Sequence, residues 1–259
     1  MSNLHMQYGS TAVIAINRPE VRNALNTETI NELIDTLNRV AASREVEVVI
    51  LTGTGDKAFC AGADLAEVRR LASVDGVRDY FGNMARLIHT LQHMPQPVIG
   101  AAFGYTLAGG MGLAAGVDLL IAADDTRFGL PEVKVGLYPM VVTAPIARLI
   151  GARRALELGL TGRMIDARTA EAWGFVNHVV PKAELMVEAH KLADEIKSGS
   201  AVIARLGKEG WRLSQDLGMD DAMEALKSLV SLVALSEDSH EGVAAFVEKR
   251  PPVWPSKKG

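Results

Sequence analysis

The chain holds one cysteine in 259 residues, Cys60, which leaves no partner for an internal disulfide. Its first ten residues show no basic stretch followed by an apolar run, so no export signal is read there and a cytosolic (cytoplasmic) address is expected. Long apolar runs are absent too. Although 48% of the residues are apolar, Arg, Asp, Lys or Glu interrupts every stretch well short of the ~18 residues of a membrane span. Charge of one sign is also missing. With 27 basic against 31 acidic residues and a net charge of −4, the chain lacks the basic field that nucleic acid or an anionic membrane requires, and neither is expected as a partner.

Several catalytic signatures are absent as well. No Gly-x-Ser-x-Gly elbow and no Gly-Lys-Ser/Thr phosphate loop occurs. Cys60 sits in "AFCAGAD" with no evident histidine partner, so it reads as a buried structural thiol. Of the six histidines only His89 and His93 share a helix face, with no carboxylate at a ligand spacing, so no metal is expected.

What is present is an alternation. Short β-branched or apolar runs such as "VIAIN", "VEVVILTG", "PVIGAAFG" and "VDLLIAA" are separated by helical stretches. In the clearest of these Ile30, Leu33, Ile34, Leu37, Val40 and Ala41 recur at helical spacing behind a polar start at Asn26 or Thr27. A longer helix is expected from Val77 to Met94, before Pro95 and Pro97. The segment "DDTRFGLPEVKVGLYP" reads as one loop. This pattern predicts an α/β fold with a mainly parallel sheet. Beyond Ala144 the character turns helical, beginning with "APIARLIGARRALELGL". We divide the chain into a core over 1–195, carrying the site, and a helical region over 196–259.

Two glycine-rich segments stand out, "CAGADL" (60–65) and "LAGGMGLAAG" (107–116). Each reads as a loop that opens a helix, the first at Ala63 to Leu65 and the second about Gly109. A helix start offers unpaired N–H groups and the positive end of a dipole. If the two converge, they form an oxyanion hole able to polarise a thioester carbonyl and stabilise an enolate. Close helix packing explains small residues once but not twice. The rival reading is a dinucleotide fingerprint, since Gly110, Gly112 and Ala115 spell G-x-G-x-x-A within "GMGLAA". It would make the protein a nicotinamide-dependent oxidoreductase, although the segment lies mid-chain and the link from Phe103 to Gly109 is too long for the tight first turn.

The segments "NRPEVRNAL", "GDKAFCAGADLAEV", "QPVIGAAFGYTLAGGMGLAAGVDLLIAADDTRFGLPEVKVGLYP", "LTGRMIDARTAEAWGFVNHVV" and "EGVAAFVEKR" resemble, in this order, the enoyl-CoA hydratase/isomerase, or crotonase, superfamily. The resemblance covers nearly the whole chain. It implies a crotonase-like spiral of ββα units followed by a C-terminal helical trimerisation region. It also implies a homotrimer or dimer of trimers, and an acyl-CoA thioester as substrate. No separate cofactor is expected, because coenzyme A is part of the substrate. Carried over by motif, the oxyanion donors are the N–H groups of Ala63 and Gly109. Coenzyme A runs past Arg22, Ala24, Ala61, Asp64 and Leu65, with Phe246 and Lys249 reaching a neighbouring subunit's ligand. Hydratases of the family generally use two glutamates; here one position is Gly112 and the other is Glu132. Apolar neighbours Leu130 and Val133 are expected to raise the pKa of Glu132 toward neutrality.

One carboxylate beside an enolate hole suits a proton shuttle, which resembles the Δ3,Δ2-enoyl-CoA isomerases. Hydration stays open if Glu132 both orients water and returns its proton. Met140 stands where the dienoyl-CoA isomerase and dehalogenase branches carry aspartate. The stretch "MVVTAP" should make one wall of the acyl pocket bulky and apolar, and Tyr138 is a candidate extra proton donor. A non-catalytic acyl-CoA-binding homologue is the remaining alternative.

Overall fold

The computed structural model describes residues 2–257. Ten strands form two sheets. The larger contains β1 (Leu4–Gln7), β2 (Thr11–Ile16), β3 (Val48–Gly53), β5 (Val98–Ala102), β7 (Leu119–Ala123) and β10 (His178–Val180) in that spatial order, parallel except for the β1–β2 pair. The smaller is ordered β4 (Ala58–Cys60), β6 (Tyr105–Leu107), β8 (Arg127–Gly129) and β9 (Met164–Asp166). The chain spirals between them. Strands β3, β5 and β7 each lie in the large sheet and are followed at once by β4, β6 and β8 in the small one, after which a helix closes the turn. This is the ββα spiral expected from the sequence.

Helices α1 (Thr27–Ala41), α2 (Leu65–Val68), α3 (Val74–Gln92), α4 (Gly109–Gly116), α5 (Met140–Ile150), α6 (Ala152–Thr161) and α7 (Ala167–Ala172) are interspersed with the strands. The continuous apolar runs of β2 and β3 are buried along nearly their whole length, as parallel strands covered on both faces require. Helix α1 puts Ile30, Leu33, Leu37 and Val40 into the core, and it starts where Asn26 Oδ1 accepts the Thr29 N–H. None of the helices among the described residues is long and apolar enough to cross a membrane.

Three expectations are corrected. The stretch read as one loop contains β8 and a 3-10 turn at Pro131–Val135. The link before Gly109 contains β6. Both strands have three residues, too few for alternation to show, and exist because they pair with each other. The helix read across "APIARLIGARRALELGL" breaks at Gly151, whose φ of +84° ends α5 before α6 begins.

By its internal contacts the chain divides into one unit of residues 1–94 and 98–193 and another of 95–97 and 194–259. The division falls within α8 (Leu185–Ser198). The second unit contains α9 (Ala201–Ser214), α10 (Met219–Ala234) and α11 (Glu237–Glu248). Within it Gly210 lets α9 approach Leu226 and Leu229 of α10 closely.

Candidate active site

The two glycine-rich segments meet. Gly62, at φ +98°, presses on the other segment so tightly that a β-carbon on it would stand 2.6 Å from Ala108 Cβ and 3.0 Å from Gly109 N. A side chain on Gly109 would in turn crowd Met84 Cε at 3.1 Å. Bare backbone is what allows the approach.

Each segment leaves one amide open, for different reasons. Ala63 is bridged in parallel to Leu25, but the bridge uses its neighbours: Leu25 N–H donates to Gly62 O at 2.8 Å and Asp64 N–H to Leu25 O at 3.0 Å. Among the described residues the Ala63 N–H meets no acceptor. In the second segment the first helical bond runs from Gly112 N to Ala108 O at 3.0 Å, so the Gly109 N–H precedes the ladder and is open as well. This corrects one expectation. Ala63 does not belong to a helix start, because α2 begins at Leu65 and its first N–H groups are capped by the Asp64 carboxylate. Only α4 presents an open positive end here.

Ala63 and Gly109 line a cavity of about 370 Å³ together with Ala61, Leu65, Ala108 and Glu132. Glu132 is carried by the 3-10 turn that Pro131 starts and that Gly136, in the left-handed region, closes by donating its N–H to Glu132 O. Burial lifts the Glu132 carboxyl to about 7, against a smaller downward pull from its own backbone N–H, and its buried Oε2 atom has no hydrogen-bond partner among the described residues. An acid near neutrality with an unengaged oxygen can both accept and return a proton at physiological pH. The rest of the lining is mostly apolar, with Phe81, Met84, Val135, Leu137, Val141 and Val142 in its walls beside Lys134. Of "MVVTAP", Met140, Val141 and Val142 are part of the lining. Tyr138 also lines it, its ring lying over Gly159.

The residues expected along coenzyme A are placed unevenly. Ala61 and Leu65 line the cavity. Arg22 and Ala24 are not among the lining residues; Arg22 is exposed, its guanidinium 5.4 Å from the Tyr105 ring centroid, and Ala24 is buried. Asp64 is engaged already, since besides capping α2 it pairs with Arg18 at 3.0 Å. Phe246 and Lys249 belong to the second unit, where Phe246 is 86% exposed and Lys249 ends α11 in the left-handed conformation.

Three supporting residues escaped the sequence reading. Asn23 is fully buried; its Nδ2 donates to Thr54 O and Ala58 O at 3.0 and 2.8 Å, and its Oδ1 accepts the Arg18 N–H. Arg18 donates to Ala24 O at 2.6 Å while holding Asp64, which ties the two loops together. Tyr80 O–H donates to Leu25 O and accepts the Asp64 N–H, directly beside Ala63; burial above all raises its pKa. Other features have packing roles. Burial pushes the Cys60 thiol up to about 12, and its carbonyl blocks any side chain on Gly110. Gly112 is closed off in the same way by Val142, and every residue of α4 is buried. The glycines of the supposed dinucleotide fingerprint thus face neighbouring protein. His89 and His93 stack with ring centroids 3.7 Å apart, and His93 Nδ1 donates to His89 O.

Comparison with known proteins gives a consistent picture. The profile of the family described as enoyl-CoA hydratase/isomerase matches residues 6–257. A crotonyl-CoA hydratase from Syntrophomonas wolfei is 37% identical, with 92% of each chain covered. A short-chain-enoyl-CoA hydratase from Clostridium acetobutylicum is 35% identical, with 93% of each covered. Among solved structures, an enoyl-CoA hydratase from Bacillus anthracis superposes with a TM-score of 0.94 at 34% identity, covering 98% of this chain and all of its own.

Proposed function

Because the chain belongs to the enoyl-CoA hydratase/isomerase family, we propose that its site shifts the double bond of a 3-enoyl-CoA to the 2-position, with Glu132 as its single proton carrier. The thioester oxygen would lie between the Ala63 and Gly109 N–H groups. Glu132 then removes a proton from C2, the electrons pass to that oxygen as an enolate, and the two amides stabilise the charge where it develops. The protonated Glu132 next delivers its proton to C4 as the electrons return, leaving the 2-enoyl thioester. Atoms and charge balance without a second acid.

The observation that carries this reading is the pairing of Glu132, with its unengaged buried oxygen, and Gly112, where Val142 leaves no room for a carboxylate. Hydration of a 2-enoyl-CoA is the second reading. It is favoured by the names of the relatives, and it would require Glu132 to orient water and also return its proton. Separate incubation of the pure protein with a 3-enoyl-CoA and a 2-enoyl-CoA distinguishes the two. Isomerisation predicts faster loss of the first; faster formation of 3-hydroxyacyl-CoA from the second overturns it. Absence of both reactions, with acyl-CoA still bound, would leave a binding protein.

The assembly we propose is a homotrimer or a dimer of trimers. Its support is the apolar surface of the second unit, where Met219, Leu235, Phe246 and Val247 are each more than 70% exposed. Coenzyme A, as part of the substrate, is expected to pass Arg22, Ala61 and Leu65.

A further inference from the structure

Among the described residues, six helices are capped by a side chain of the residue before them: Asn26, Asp64, Ser73, Asp166, Ser200 and Ser236 each accept an N–H of the first turn, from extended backbone. Helix α4, like α5, α6 and α10, has no side-chain cap, but it alone of these four starts from a non-glycine residue at positive φ. Its cap is Ala108, which has no acceptor to offer and stands at φ +53°, ψ −123°. These are the angles of the first central residue of a type II′ turn, a place that strongly favours glycine because a β-carbon is crowded there.

The surroundings hold Ala108 in this conformation from both sides. Its N–H donates to Gly129 O at 2.9 Å, and its C=O accepts the Gly112 N–H at 3.0 Å. Its methyl group lies against Gly62 and lines the cavity. Across a trans peptide the N–H points opposite to the C=O. Fixing the Ala108 carbonyl on the helix therefore aims the Gly109 N–H out of α4, where Gly109 lines the cavity and its N–H meets no acceptor among the described residues.

We infer that Ala108 is a positioning residue whose strained backbone holds the Gly109 N–H in the direction in which it meets the substrate oxygen. The inference rests on the proposed function above. A glycine at 108 adopts the same angles without strain but is also free to leave them, so it loosens the amide while relieving the chain.

The test is Ala108→Gly, measured three ways against the natural protein. We expect a roughly tenfold lower kcat, a fraction of what losing a whole oxyanion donor costs. KM should stay within about twofold and Tm should be held or raised. The third readout needs no turnover. A 3-ketoacyl-CoA bound at the site loses its α-proton to solvent and becomes an ultraviolet-absorbing enolate, and the pH at which it does so reports on the donors. In the variant that pH should rise by about one unit, which is the same tenfold. A variant with raised Tm but unchanged kcat and unchanged enolate titration would overturn the inference alone. So would a kcat loss accompanied by a comparable fall in Tm. A natural protein that fails to turn over enoyl-CoA and does not ionise the bound 3-ketoacyl-CoA would overturn the proposed function, and the inference with it.

Discussion

Val142 fills the space that any side chain on Gly112 would need. A β-carbon there would run into Val142 Cγ1 and lie 3.0 Å from Val142 Cβ and 3.1 Å from Ile88 Cδ1. A second acid at this position would have to displace Val142, so packing between α4 and α5 opposes it as well as the choice of glycine. Gly112→Ala is expected to lose about 1–3 kcal/mol of stability by overpacking. Val142→Ala should recover part of that loss in the double variant. Denaturant unfolding of the four proteins measures the coupling. Strictly additive effects would show that Gly112 and Val142 do not compete for this space.

Glu132→Gln should lower kcat by roughly 10²-fold or more, the usual contribution of a positioned proton carrier, and leave acyl-CoA affinity within about threefold if, as proposed, the oxygen donors are main-chain groups. Isothermal titration beside steady-state kinetics separates the two quantities. Equal losses in both would contradict the division of roles.

The same carboxyl gives stability a pH dependence. Its folded pKa of about 7 lies above the ordinary value of 4.5, so between these pH values the folded chain keeps a proton that the unfolded chain releases. Folding is penalised progressively as pH rises through this window, and the penalty is complete above it. Glu132→Gln should thus gain Tm relative to the natural protein at pH 8 but not at pH 4. An identical difference at both pH values would show that burial does not raise this pKa.

Asn23→Ala removes three hydrogen bonds from a fully buried side chain and leaves the Ala58 carbonyl without its partner. A loss of about 1–3 kcal/mol is expected. Because Asn23 fixes the loop that presents Arg22 and Ala24, KM for the acyl-CoA should rise more than kcat falls. A KM that stays constant while stability drops would remove Arg22 and Ala24 from the coenzyme A path.

Much of this arrangement was legible in the sequence because its signals are local. The amphipathic pattern and polar cap of α1, the apolar runs of β2, β3 and β5, and the two glycine-rich segments lie within short windows. Glu132 is singled out by the family resemblance, and its apolar neighbours Leu130 and Val133 add only the expectation of a raised pKa. The parts that were not legible depend on contacts between distant residues. Strands β6 and β8 have three residues each and take their conformation from their pairing partners. Asn23 reaches residues 31 and 35 positions away, and Tyr80 reaches Leu25 across 55. No spacing rule announces such clamps. The open amide of Ala63 was anticipated for the wrong reason: it is left over by a strand-like bridge to Leu25, whereas a helix start was expected.

The central claim is that one thioester oxygen is held by the amides of Ala63 and Gly109 while Glu132 alone handles the proton. A crystal structure with a bound 3-ketoacyl-CoA tests it most directly. The account predicts the thioester oxygen about 2.7–3.1 Å from both amide nitrogens, with C2 facing Glu132 Oε2. A thioester oxygen bound elsewhere, or Glu132 turned to bulk solvent with the ligand in place, would contradict it.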